Sequence, residues 1–131
     1  MVGKINKIKT FTDNRGNLLP IEFDIIGFTP KRIFVINNTP INCIRGEHAH
    51  YETNQYLICI KGAVEVFLDD GTTKEMVVLN ENESVLIPKM VWGYQKYIEE
   101  GSQLIVIAST IYNPDDYILS YDKFLNIKNG K

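Results

Sequence analysis

A chain of 131 residues, 44% hydrophobic and 23% charged, has the composition of one globular domain with a core of ordinary size. Its formal net charge of -2 offers no basic surface for nucleic acid or an anionic membrane, so an anionic ligand must be met by local cations. Residues 1–10 interleave Lys4, Lys7 and Lys9 with Ile5 and Ile8, unlike a signal peptide, and no apolar run reaches membrane-spanning length. The expectation is a single domain, 1–131, in the cytoplasm.

In chain order, short β-branched and aromatic runs stand at 4–11, 18–23, 32–36, 42–45, 55–60, 63–68, 73–79, 84–87 and 103–110. Turn signals separate them, among them Asn14-Arg15-Gly16, Lys61-Gly62, Asp69-Asp70-Gly71 and Glu99-Glu100-Gly101. Many short strands at this spacing predict an all-β sandwich or barrel. Asp69-Asp70-Gly71 is the best hairpin turn. Leu57-Ile58-Cys59-Ile60, apolar throughout, predicts a strand buried on both faces. Cys43 and Cys59 lie in strand-like segments and read as reduced thiols. After Pro114, residues 115–125 place Tyr117 or Ile118, Tyr121, Phe124 and Leu125 near helical spacing, with acids in the first turn. A short C-terminal helix is predicted there, followed by a polar, frayed tail over 126–131.

Both histidines of the chain occur in Arg45-Gly46-Glu47-His48-Ala49-His50. A β-strand puts residues i and i+2 on one face, so the two imidazoles point the same way. Such a pair beside an arginine reads as a proton-transfer site or as half of a metal site.

A short all-β chain with Gly-x-His-x-His resembles the cupin superfamily, whose fold is a double-stranded β-helix or jelly roll with the site in the barrel mouth. His48 and His50 match two ligands of its metal site, Gly62 matches the closing glycine and Pro88 fits the second motif. Gln55 stands at the glutamate ligand, and Met90 and Gly93 stand at the glycine and final histidine of that second motif. Two neutral imidazoles fix zinc, iron or manganese poorly, since such sites normally use three or more protein ligands. The expectation is no metal and no other cofactor.

A closer resemblance covers nearly the whole length. Asp13-Asn14-Arg15-Gly16-Asn17-Leu18, Lys31-Arg32-Ile33-Phe34, the Arg-Gly-Glu-His-Ala-His hexapeptide, Leu68-Asp69-Asp70-Gly71, Pro88-Lys89-Met90-Val91-Trp92, Leu104-Ile105-Val106-Ile107-Ala108-Ser109, and Asp115-Asp116-Tyr117-Ile118 through Leu125 follow one another as in the dTDP-4-keto-6-deoxyglucose 3,4-ketoisomerases, which the chain resembles. That resemblance implies isomerisation of a dTDP-linked 4-keto-6-deoxy sugar through an enediol, for deoxyamino sugars of surface polysaccharide or glycoprotein. It also implies a homodimer whose N-terminal strands cross to the partner. His50 is then the principal base and His48 the assisting group.

The reaction needs a base near neutrality, a proton donor and groups that stabilise an enediolate, and the nucleotide needs cations and a slot for its base. Arg45 is the candidate for a substrate oxygen or phosphate, and Arg15 and Arg32 for phosphate. Trp92 either lines the sugar pocket or anchors a core or interface. Phe34 and Val35 replace tyrosines of the family and Gly93 replaces a histidine, which leaves open a related epimerase or a non-catalytic nucleotide-sugar binder.

Overall fold

Alternation along each strand decides which side chains meet between the sheets. In the computed structural model, which describes residues 2–130, the strands are β1 (Asn6–Lys7), β2 (Phe11–Asp13), β3 (Gly16–Leu18), β4 (Arg32–Ile36), β5 (Ile44–His50) and β6 (Gln55–Lys61). They continue as β7 (Val64–Asp69), β8 (Lys74–Leu79), β9 (Glu83–Ile87), β10 (Trp92–Tyr97), β11 (Gln103–Ala108) and β12 (Tyr117–Ile118), before helix α1 (Tyr121–Lys128). One sheet has the order β1-β9-β6-β11-β4, the other β12-β5-β10-β7-β8, and β2-β3 form a separate hairpin. All strand pairs are antiparallel, which gives the expected all-β jelly-roll class with a short C-terminal helix.

Between the sheets lie Leu57, Cys59, Val64, Val66, Leu68, Leu79, Val85, Leu104 and Val106, all buried. Each such aliphatic side chain contributes about 1.5–3 kcal/mol by leaving water. β6 is buried on both faces, as its apolar run predicts. Leu57 and Cys59 enter this core, while Tyr56 and Ile58 join Ile8, Ile26 and Ile107 on the outer side of the same sheet. The hairpin from β7 to β8 turns where expected: Asp69 accepts the N–H of Gly71, Asp70 accepts those of Thr72 and Thr73, and Gly71 adopts φ 96°.

Several predicted elements differ. The run over 4–11 is divided between β1 and β2, and 18–23 leaves the hairpin after Leu18 for a 3₁₀ turn at Phe23–Ile25. The strand predicted from 42 runs later, to His50. The sequence gives no strand signal for β10, because Gly93, Gln95 and Lys96 interrupt its apolar pattern; it is nevertheless the middle strand of its sheet. The predicted helix over 115–125 is a 3₁₀ turn at Pro114–Asp116, then β12, then α1. Asn113 accepts the N–H of Asp115 and closes the first turn, while Ser120 caps α1 through the N–H of Lys123 at 3.2 Å. The helix continues through Lys128, into the segment expected to fray, and Lys131 lies outside the described residues.

Candidate active site

β5, between β12 and β10 in its sheet, carries the histidines, and a bulge sets their neighbours. His48 pairs with Gly93 and Arg45 with Gln95, so β5 spends three residues where β10 spends two. An odd offset would otherwise put Arg45 and His48 on opposite faces. Gly46 makes the bulge possible: its φ is 75°, and a Cβ there would lie 2.5 Å from Gln95 Oε1. Arg45 and His48 consequently line one cavity with Phe34, Gln55, Gln95 and Tyr117. Its volume, about 170 Å³, is below the roughly 300–1,000 Å³ of a pocket that encloses a drug-sized ligand. A sugar ring can enter; a nucleoside diphosphate must extend beyond it.

The two imidazoles meet edge to face, with centroids 4.8 Å apart. The ring of Tyr117 packs on both, 4.9 Å from His48 and 4.5 Å from His50. His50 is 5% exposed, and its Nδ1 lies 3.0 Å from Asp116 Oδ2. A carboxylate can only accept, so Nδ1 carries the proton and Nε2 the lone pair. That Nε2 is buried and has no hydrogen-bond partner among the described residues. Asp116 is fixed in turn: Oδ1 accepts the N–H of Glu52 at 2.7 Å, and Oδ2 accepts the hydroxyl of Thr53, which is itself bonded to Thr110.

Burial pushes His48 down to about 4, and the neighbouring His50 adds to this. Burial also lowers His50; the hydrogen bond and charge of Asp116 oppose it, while the charge of Arg32 assists. Both rings are therefore neutral at pH 7. Burial disfavours the ionised form of Asp116, but the bonds from Thr53, Glu52 and His50 hold it below the usual carboxylate range.

The other sequence-predicted residues are distributed unevenly. Arg32 alternates on β4 with Phe34 and Ile36 of the cavity wall but is not itself among the lining residues, and His50 lies behind His48 and Tyr117, which are. Arg15 stands at the tip of the β2-β3 hairpin, 86% exposed and 2.6 Å from Asp13, and is not among the residues lining this cavity. Trp92 does not line it either. Trp92 is outward-facing on β10 and packs with Ala49, Tyr121 and Phe124 under α1, the core-anchor alternative. Asp116, Tyr117 and Thr53 were missed by sequence reasoning. In the sequence Asp116 reads with Asp115 as a helix-start acid; the Asn113-Pro114 step, which favours a closed turn before it, is the available signal. Among the described residues no three or more His, Cys, Asp or Glu side chains gather as a metal-binding group.

The chain matches over residues 1–129 the family model described as FdtA, WxcM-like, C-terminal. It is 33% identical over 126 residues to the TDP-4-oxo-6-deoxy-alpha-D-glucose-3,4-oxoisomerase of Aneurinibacillus thermoaerophilus, covering 95% of this chain and 91% of that one. A 3,4-ketoisomerase crystal structure from Helicobacter canadensis is 38% identical with a TM-score of 0.88, covering 96% of each chain. A mutant of the 3,4-ketoisomerase QdtA from Thermoanaerobacterium thermosaccharolyticum, in complex with TDP-4-keto-6-deoxyglucose, is 32% identical with a TM-score of 0.88, over 98% of this chain and 94% of that one.

Proposed function

Because the chain belongs to the FdtA family, we propose that it is a sugar-nucleotide 3,4-ketoisomerase acting on a dTDP-linked 4-keto-6-deoxyhexose. The observation that carries this reading is the buried, unpartnered Nε2 of an imidazole whose other nitrogen is held by a carboxylate. A ketone at C4 acidifies the C3 proton. His50 Nε2 takes that proton, and Asp116 stabilises the imidazolium that results. The enediolate is reprotonated at C4, the hydroxyl proton passes from O3 to O4, and the ketone is left at C3. C3 is oxidised and C4 reduced by the same electron pair, so no external redox partner is needed.

His48, 4.8 Å away across an edge-to-face contact, assists by hydrogen bonding to the sugar oxygens. Arg45, on the cavity wall, contacts a substrate oxygen or the first phosphate. Incubation with dTDP-4-keto-6-deoxyglucose in deuterated water is expected to give the 3-keto isomer with deuterium gained from solvent. Tight binding with the sugar returned unchanged and unexchanged would overturn the reading in favour of a nucleotide-sugar binder, an alternative that draws on the missing hydroxyl at Phe34 in the cavity wall. The same reading puts the protein in the cytoplasm, in deoxyamino sugar synthesis for polysaccharide.

Two further outcomes follow. With Gln55 and Gly93 at the ligand positions of metal cupins, elemental analysis of purified protein is expected to find well under one zinc, iron or manganese per chain, and chelators should leave turnover unchanged. One tightly held ion per chain would contradict this. The second concerns assembly. Phe11 and Leu18 are exposed on a hairpin bonded to neither sheet, and Ile33 and Val35 are exposed on the outer face of edge strand β4. These surfaces support a homodimer with N-terminal exchange, in which the β2-β3 hairpin crosses and brings Arg15 to the partner's cavity. β1 pairs with β9 of its own chain and stays there. Mixing Arg15→Ala with His50→Asn protein, after dissociation and reassociation, should restore activity lost by each alone, because one site of the mixed dimer then has both groups. Absence of any recovery in verified mixed dimers would place Arg15 at its own chain's site or at none.

A further inference from the structure

Arg32 is a half-buried cation with no counter-charge. Among the described residues it makes no ion pair, and its Nε is buried without a hydrogen-bond partner. Aromatic faces hold it instead: the guanidinium carbon lies 4.9 Å from the centroid of Phe34 and 5.5 Å from that of Tyr112. Tyr112 in turn is 6.0 Å from Tyr117, the ring that packs on both histidines. A guanidinium N–H buried without a partner is unfavourable unless an acceptor arrives. Arg45 lines the cavity, and Arg15 stands on a hairpin tip away from it, paired with Asp13. Arg32 differs from both in that its charge acts on His50.

Resting on the isomerase reading above, we propose that Arg32 stabilises the enediolate at the reacting carbons and is not a ligand of the diphosphate. When His50 takes the C3 proton, the electron pair of that bond moves into the C3–C4 bond and charge develops on O4. In the second half, the O3–H bond breaks, C4 regains a proton and charge is shared with O3. A planar guanidinium offers two parallel N–H groups and delocalised charge, and so spans both oxygens of a cis-enediolate without moving between the halves. Stacking on Phe34 and Tyr112 fixes its plane beforehand. The groups facing His50 are then Asp116 from the turn before β12, Tyr117 on β12, His48 on β5 and Arg32 on β4.

The test compares wild type with Arg32→Gln and Arg32→Lys in three readouts: kcat, the affinity for TDP by calorimetry, and the titration of the His50 ring by NMR in the free protein. Arg32→Gln should lower kcat by about a hundred- to a thousandfold and leave the Kd for TDP within about twofold. Arg32→Lys, which keeps the charge but not the two parallel donors, should fall between. In Arg32→Gln the His50 titration should move to higher pH, because a cation that disfavours its protonation is gone. A tenfold loss of TDP affinity with kcat retained would make Arg32 a diphosphate ligand. Unchanged kcat and His50 titration would make it a packed strand residue with no part in the reaction. Wild-type protein that neither isomerises nor exchanges the C3 proton would remove the parent reading and this one together, whereas an inert Arg32→Gln change in an active background removes this one alone.

Discussion

His50→Asn should slow isomerisation by about two to four orders of magnitude while nucleotide binding survives. Asparagine keeps a polar group of similar reach beside Asp116, so the fold around Thr53 and Glu52 has no reason to change. What disappears is the only nitrogen in the pair whose lone pair is oriented by a carboxylate and left free. His48→Asn should be milder, since among the described residues no carboxylate is bonded to that ring, and burial holds it neutral down to about pH 4. The pH profile sharpens the comparison. Wild-type kcat should fall as the pH drops through the folded pKa of His50, which lies below the ordinary 6.5, and stay flat above it until another group titrates. A limb at about 4 would belong to His48 instead. Nearly wild-type turnover in His50→Asn, or loss of nucleotide binding together with activity, would remove His50 from its role.

The fold was legible where a strand has one simple environment. β6 reads as a buried run because both its faces are covered, and the β7-β8 turn reads from Asp-Asp-Gly because each residue there meets a local backbone demand. β10 was not legible because its inward positions serve the cavity: Gly93 pairs with His48 and Gln95 lines the pocket, so polarity points inward where the pattern expects apolar residues. The histidine pair was visible from its spacing. Asp116 was not, since its partnership with His50 spans 66 residues and depends on β12 laying Tyr117 against His50 in the sheet register. Helical periodicity over 115–125 concealed that strand, because two residues of β12 are too few to show a period of two. Arg45 illustrates the converse: its spacing from His48 argues for opposite faces, and only the bulge at Gly46 reverses it.

Asp116→Asn should lower kcat by about a hundred- to ten-thousandfold, nearly as much as loss of the imidazole, although the side chain changes by one atom. Oδ1 accepts from the Glu52 N–H at 2.7 Å, so the single carbonyl oxygen of asparagine stays there and its NH₂ takes the place of Oδ2. That NH₂ donates to Nδ1 of His50, which drives the ring proton to Nε2 and removes the base. The Thr53 hydroxyl rotates to accept the second N–H, so the site remains hydrogen-bonded and the protein should melt within a few degrees of wild type. The sign of the pH shift distinguishes this cause from general damage. Asp116 raises the pKa of His50 by its hydrogen bond and charge; its neutral replacement should move the acidic limb of the residual activity to lower pH. Arg32→Gln should move the same limb the other way, because the Arg32 charge lowers that pKa. Opposite shifts around one titrating group would identify it as His50. Parallel shifts, or full activity in Asp116→Asn, would show that the base is a group other than His50.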